Sequence, residues 1–335
     1  MPETEPTGSQ KYAITIENGQ FFAIGDGARV EMAGDSAEPS PPQVSLALLT
    51  HTLPTATCHH LTAPEFPFVT VMLDNSGQGC GAATVRVTAV IEAFSDTVST
   101  TVQLAPGEQM QVTLLPLLQA TAVATLSDIR PATVRVTAVQ TQPERLLFDQ
   151  TTRIHLHARD TALLAVRAAD GRLVDMTRYL AAWVTPRITP IEQLLRQAAR
   201  HHPARQFVGY QGAKNLDQAR QVVGAQAEAI FTALKQDAQV VYINSPLNLG
   251  AAAGQIMQRV RLPSLVLQTP GSANCIDGTV LFASLLELAA IDPLLVIVPG
   301  HAFVGWRIWD RIDQYDFLET TLIGSSDFST AQQVG

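Results

Sequence analysis

The sequence predicts an α+β protein, an N-terminal all-β sandwich domain followed by a separate domain of helices and strands. Three observations predict this. From residue 44 to 168 apolar and polar residues alternate with a period of two, in short Val- and Thr-rich runs parted by turn residues. After about residue 170 the apolar spacing becomes helical. The helical stretches come first there and the strand-like ones last, an order that gives α+β rather than alternating α/β.

Residues 1–43 are expected to lie outside both domains. They read as a polar tail (1–10), a hairpin "YAITIENGQFFAIGDGARVEM" (12–32) turning at "ENGQ" and "GDGA", and a Pro/Ser linker "AGDSAEPSPPQ" (33–43). "MPETEPTGSQ" has neither the basic nor the apolar region of a secretory leader. No apolar run reaches the roughly 18 residues that a membrane span needs. A cytoplasmic location is therefore expected. The net charge of −8 argues against nucleic acid or an anionic membrane surface as partner.

The sandwich (44–168) is expected from "FVTVML", "ATVRVTAVIEAF", "DTVSTTVQL", "QMQVTLLPL", "ATVRVTAV" and "TRIHLHA", with turns at "DNSGQGCG" and "LAPGEQ". The octet "ATVRVTAV" occurs at 83–90 and again at 132–139, which puts Val85, Val87 and Ala89 on one face and Thr84, Arg86 and Thr88 on the other. His155 and His157 are two apart on one strand and read as an exposed face rather than a metal chelate. "CHH" (58–60) reads as a strand-edge or loop cluster, because adjacent residues rarely reach one ion together. Three cysteines, Cys58, Cys80 and Cys275, are too few for a disulfide scaffold and lack CxxC spacing. No metal and no cofactor is expected.

In the second domain (169–335), "TPIEQLLRQAARHH" (189–202) predicts a helix capped by Thr189, with Pro190 and Glu192 completing a capping box. A second helix spans 215–237, with Leu216, Ala219, Val223, Ala227, Ile230 and Leu234 on one stripe. "VVYIN" (240–244) predicts a short buried strand. The stretch from Cys275 to about Ala290 is apolar on most sides and predicts a central buried helix. "PLLVIV" (293–298) predicts an inner strand. "HAFVGWRIW" and "QYDFLETTL" predict two strands joined by a "DRID" turn. "SSDFSTAQQVG" predicts a capped helix cut short, with more protein expected after Gly335.

Cys275 follows Asn274, a good N-cap, with Asp277 at the third helical position. A thiol in a first helical turn feels the positive end of the helix and its free N–H groups, which favours the reactive thiolate. The same N–H groups suit an oxyanion. His301 follows the "PG" break at the start of a strand. Asp316 and Glu319 are both candidates for its acidic partner. They are three apart and so face opposite ways. A hairpin centred on Asp310 sets Glu319 opposite His301, whereas pairing Asp316 would bury the turn in apolar residues. Trp306 reads as core, Asn244 as a turn residue and Asp277 as a capping carboxylate opposing thiolate formation.

"NCIDGTVLFASLLELAAIDPLLVIVPGHAFVGW" with "FLETT" resembles the bacterial transglutaminase-like cysteine-protease superfamily, over roughly 170–325. "GHAF" carries Phe303 where the family has Trp, and "LETT" carries Glu319 where it has Asp. "QRVRLP" (258–263) matches a further motif of its bacterial members. The resemblance implies a papain/transglutaminase-like catalytic domain with Cys275, His301 and Glu319 as catalytic residues. It also implies a polar side chain as second oxyanion donor, for which Gln258 is the candidate. "DNSGQG" followed by "LAPGEQMQV" resembles the turns of bacterial immunoglobulin-like domains, and the "AIGDGA" hairpin resembles short segments of bacterial conflict-system proteins.

Three functions are left open by these residues. One is a thiol-dependent hydrolase of peptide or isopeptide bonds, with a protein or peptide substrate. A second is an acyl transferase using the same three residues. The third is a non-catalytic scaffold, the sandwich binding a protein partner. A metal site made by Cys275 and His301 lacks further ligands and ranks below them.

Overall fold

The computed structural model describes residues 39–168, 171–244, 255–268, 271–310 and 312–335. The hairpin expected at 12–32 and the first part of the linker lie outside the described residues, as does Arg311 of the "DRID" turn. The chain is mixed α and β, with its strands in several sheets, compatible with α+β.

The first half holds β1 (Gln43–Leu48), β2 (Thr52–Leu53), β3 (Val69–Asp74), β4 (Ala83–Ile91), β5 (Val98–Leu104), β6 (Gln109–Leu114), a short helix α1 (Ala120–Val123), β7 (Arg130–Thr141) and β8 (Glu144–Leu156). They form two sheets, ordered β1-β3-β6 and β2-β8-β7-β4-β5. Period-two alternation gives each strand one apolar face. Val71 and Leu73 of β3, Val85, Val87 and Ala89 of β4, and Val134 and Val136 of β7 share one buried cluster. The repeated octet occupies the neighbouring strands β4 and β7. They pair antiparallel, so Thr88 meets its counterpart Thr137, and the two hydroxyls lie 2.6 Å apart. Arg86 on the opposite face is exposed.

His155 and His157 do not share a surface. His155 is exposed and His157 fully buried, because β8 ends between them and the chain turns inward. Cys58 and Cys80 are free thiols.

Next come β9 (Thr161–Arg167), β10 (Leu173–Asp175), α2 (Thr189–His201), α3 (Leu216–Gln236), β11 (Val241–Tyr242), β12 (Gln255–Arg259), α4 (Pro263–Val266), β13 (Ser272–Ala273), α5 (Cys275–Leu288), β14 (Pro293–Val298), β15 (His301–Arg307), β16 (Tyr315–Leu318) and α6 (Phe328–Val334). β9 falls within the segment assigned by sequence to the sandwich, yet it pairs with β10 and β12 in the order β10-β9-β12. Alternate residues of β12 serve different cores. Met257 joins the sandwich cluster, while Ile256, on the other face, and Val260 just past the strand join a second cluster that contains Cys275.

α5 is the buried helix expected. Every residue from Ile276 to Leu286 is buried. Leu281, Phe282, Leu285 and Leu286 pack with Ile191 and Leu194 of α2, Val223 and Ile230 of α3, and Val304 and Trp306 of β15. Phe282 stacks on Trp306 at 6.3 Å and Trp306 on Phe328 at 6.5 Å.

Several local expectations are corrected. α2 is capped by Ile188 and not by Thr189: the Ile188 carbonyl accepts from Ile191 and Glu192, so Thr189 is already helical and no side chain caps the helix. "VVYIN" is not buried beyond Val240. Val241, Tyr242 and Ile243 are exposed, because β11 pairs with two-residue β13 and sits at the surface. "PLLVIV" is an edge strand in the order β14-β15-β16, and Leu294 and Val298 face solvent. The β15–β16 register is displaced by two from a hairpin centred on Asp310: Val304 pairs with Leu318 and Trp306 with Asp316.

Phe282→Ala removes a fully buried ring between α5 and Trp306. We expect a loss of about 3–5 kcal/mol, read as a lower midpoint in urea unfolding followed by tryptophan fluorescence.

Candidate functional site

Two elements converge at Cys275. The first is the N-terminus of α5. Asn274 Oδ1 accepts from the Asp277 N–H and Asp277 accepts from the Asn274 N–H, a reciprocal capping box. With Asp277 N–H occupied, the N–H groups of Cys275 and Ile276 turn to the Cys275 sulfur. The second element is β15, whose Ala302 N–H also donates to that sulfur. Cys275 therefore rests against the peptide that follows His301.

Asp277 is 0% exposed. A buried carboxylate must be neutralised or fully hydrogen-bonded. Arg261 does both: its backbone N–H donates to Oδ1 at 2.8 Å, and its guanidinium donates to Oδ2 through Nε at 2.9 Å and Nη2 at 2.8 Å. The same guanidinium holds the Ser272 hydroxyl and carbonyl. One side chain thus ties β13, the cap and the first turn of α5 together. This residue was not singled out from sequence. A carboxylate inside an otherwise apolar helix was the available signal, since it demands a cation.

His301 and Glu319 are brought together, with His301 Nε2 2.6 Å from Glu319 Oε2. The register shift of two leaves Glu319 on the face expected, because displacement by an even number preserves strand parity. Glu319 lies just past the end of β16 and reaches His301 diagonally. Its other oxygen, Oε1, accepts from Thr321 N–H at 2.9 Å and Thr321 Oγ1 at 2.7 Å. Asp316, the rejected alternative, pairs with Arg220 at 3.4 Å instead. A carboxylate partner makes Nε2 the protonated nitrogen of neutral His301 and leaves Nδ1 basic.

Close approach of the two elements needs Gly278. A Cβ there would lie 3.0 Å from Thr320 Oγ1, so glycine lets the first turn of α5 touch the residue after Glu319. Thr320 Oγ1 in turn reaches the Cys275 carbonyl at 3.5 Å.

Among the described residues no hydrogen bond joins Cys275 directly to His301; the sulfur stops at Ala302. Its electrostatics also differ from the expectation of a thiolate. Burial pushes the Cys275 thiol above its ordinary value. The N–H groups of Ala302, Ile276 and Cys275 pull it back without reversing the shift, and the Glu319 charge adds to the rise. The resting sulfur is a thiol. Tyr242 on β11 belongs to the same field: burial raises its phenol, then charge on Cys275 and Glu319 raises it further.

Gln258 is 4% exposed. It lies on β12 between Ile256 and Arg259, and by parity it shares the face of Ile256 that packs with the Cys275 cluster. No hydrogen bond joins it to Cys275, His301 or Glu319 among the described residues.

No family model matches the chain, and no curated protein matches it. Among solved structures, the Amycolatopsis orientalis exo-chitosanase CsxA aligns at 12% identity with a TM-score of 0.20, over 52% of this chain and 25% of that one. A likeness this slight transfers neither fold nor chemistry. Among the described residues no helix is long and apolar enough to cross a membrane, and no cluster of three or more His, Cys, Asp or Glu is placed to hold a metal ion.

Two outcomes follow from this geometry. Arg261→Met strands a buried carboxylate, which should cost about 3–5 kcal/mol in chemical denaturation. A thiol pKa raised in the folded state means that thiolate appears only at higher pH. Alkylation of Cys275 by iodoacetamide, followed by mass spectrometry, should therefore inflect above free cysteine in the same buffer and lose that offset on unfolding.

Proposed function

We propose that the chain is a thiol-dependent hydrolase of peptide or isopeptide bonds, with Cys275 as nucleophile, His301 as general base and acid, and Glu319 as the group that orients His301. The reading rests on one juxtaposition. His301 is held by Glu319 at 2.6 Å, and the Cys275 sulfur lies against the N–H of the next residue at the mouth of a 14-residue buried helix. Catalytic hydrogen bonds are commonly longer before substrate binds and tighten with it. In this reading residues 169–335 are a papain/transglutaminase-like domain and the strands before them an immunoglobulin-like sandwich that recruits a substrate or partner protein. Three free thiols suit a reducing compartment, and we assign the cytoplasm.

The chemistry follows from the neutral thiol. As the sulfur attacks the acyl carbon, His301 Nδ1 takes the thiol proton. The oxyanion is held by the Cys275 N–H, with Gln258 as second donor. Collapse breaks the C–N bond, and His301 gives its proton to the leaving amine. His301 then takes a proton from water, which attacks the thioester and releases the acid and the thiol. An amine in place of that water gives the acyl-transferase outcome.

Glu319→Gln discriminates a catalytic from a structural carboxylate. Thr321 donates twice to Oε1, which would fix the amide with its NH2 toward His301. The imidazole would then accept at Nε2 and carry its proton on Nδ1, the wrong tautomer for a base. Activity on a casein or ubiquitin-fusion panel should fall about 10³–10⁴-fold, with His301→Ala in the same range and Cys275→Ala inactive. Termini compared in cells expressing wild type and Cys275→Ala separate the outcomes: new termini mean hydrolase, new cross-links mean transferase, and neither means the scaffold reading.

A further inference from the structure

A cleft of about 320 Å³ opens beside the first turn of α5, between β11, β12 and the residues leading into Cys275. Asn244, Arg259, Arg261, Ser272, Asn274 and Asp277 contribute to its walls. It adjoins the thiol along β11. Tyr242, whose phenol feels charge on Cys275 and Glu319, lies 3.5 Å through its hydroxyl from Asn244 Oδ1 in the cleft wall.

The charge in this cleft is one-sided. Asp277 is fully buried, with its oxygens taken by Arg261 and the Asn274 N–H. Asp160 engages Arg259 through Nε and is not among the wall residues. The Arg259 side chain is 65% exposed, and among the described residues its terminal nitrogens carry no hydrogen bond. Two guanidiniums thus meet one saturated carboxylate, in a chain whose net charge is −8. A planar fork of free N–H donors is the geometry that recognises carboxylate.

We propose that this cleft receives the carboxylate of an Asp or Glu side chain of the acyl donor, held by the terminal nitrogens of Arg259 with the Arg261 charge behind it. The proposal rests on the thiol acyl-transfer reading of Cys275 and adds a substrate class to it: peptides acidic close to the scissile bond. Arg261 is committed to Asp277 and supplies field, whereas Arg259 supplies the direct contact.

The test uses two alkylating reagents of equal size and different charge, iodoacetate and iodoacetamide, on the full chain. Their rate ratio at Cys275 should fall about threefold or more in Arg259→Gln, recover in part in Arg259→Lys, and narrow as salt rises. Protonated His301 would contribute equally to wild type and variant, so it cancels in the comparison. An identical ratio in wild type and Arg259→Gln overturns the cleft. In parallel, matched fluorogenic peptides carrying Asp or Asn beside the scissile bond should differ at least about tenfold in kcat/KM, a preference that Arg259→Gln abolishes. Cleavage without acidic preference overturns this proposal and leaves the Cys275 chemistry standing. If no peptide is cleaved, the acyl-transfer reading fails while the alkylation ratio still decides the cleft.

Discussion

A carboxylate with no solvent exposure at the mouth of an apolar helix has to be met by a cation, and the local architecture around Cys275 is organised by that demand. Asp277 closes the cap of α5 and thereby takes up an N–H that would otherwise compete for the sulfur. Arg261 neutralises it and, with the rest of its guanidinium, fixes the strand that leads into the helix. Without the arginine, the helix start would carry an uncompensated negative charge two residues from the thiol. Cap, charge balance and placement of the sulfur are thus one interaction.

The second support comes from the sheet. β15 contributes both His301 and the Ala302 N–H, so the imidazole and the donor to the sulfur are set by the same two residues. Glu319 is held from behind by Thr321, which leaves one oxygen for His301. Gly278 allows the helix to come close enough for these groups to belong to one site. The thiol is nevertheless buried, and burial wins over its three N–H donors. A site of this kind draws its reactivity from a proton acceptor that acts during attack, rather than from a stored thiolate.

Much of this was legible in the residues. The period-two strands, the stripe of α3 and the all-round apolarity of α5 each report which surfaces lose water, and the structure buries those surfaces. Glu319 was chosen over Asp316 by turn chemistry that placed the hairpin two positions away from its actual register; parity protected the choice, since an even slip keeps the face. The failures share a cause. "PLLVIV" and "VVYIN" have the composition of inner strands, but how many neighbours a strand has is a tertiary fact that composition does not carry. The thiolate expectation weighed helix-end N–H groups and omitted desolvation, which depends on packing by residues far away in the chain. Arg261 was unreadable for the same reason, because sixteen residues and a second strand separate it from its carboxylate.

β12 offers a last consequence. Its Met257 is a brick in the wall of the first half, while Gln258 and its neighbours line the second, and its hydrogen-bonding partner β9 comes from before residue 168. The two halves are therefore laced rather than strung. An ancestor could not have acquired or lost either half by cutting the chain at the point where the sequence pattern changes, since that cut parts two paired strands. Any shuffling event that preserved the fold would have had to carry β9 along with the helices, and the seam in heredity would lie ahead of Thr161, not where the periodicity turns from two to helical.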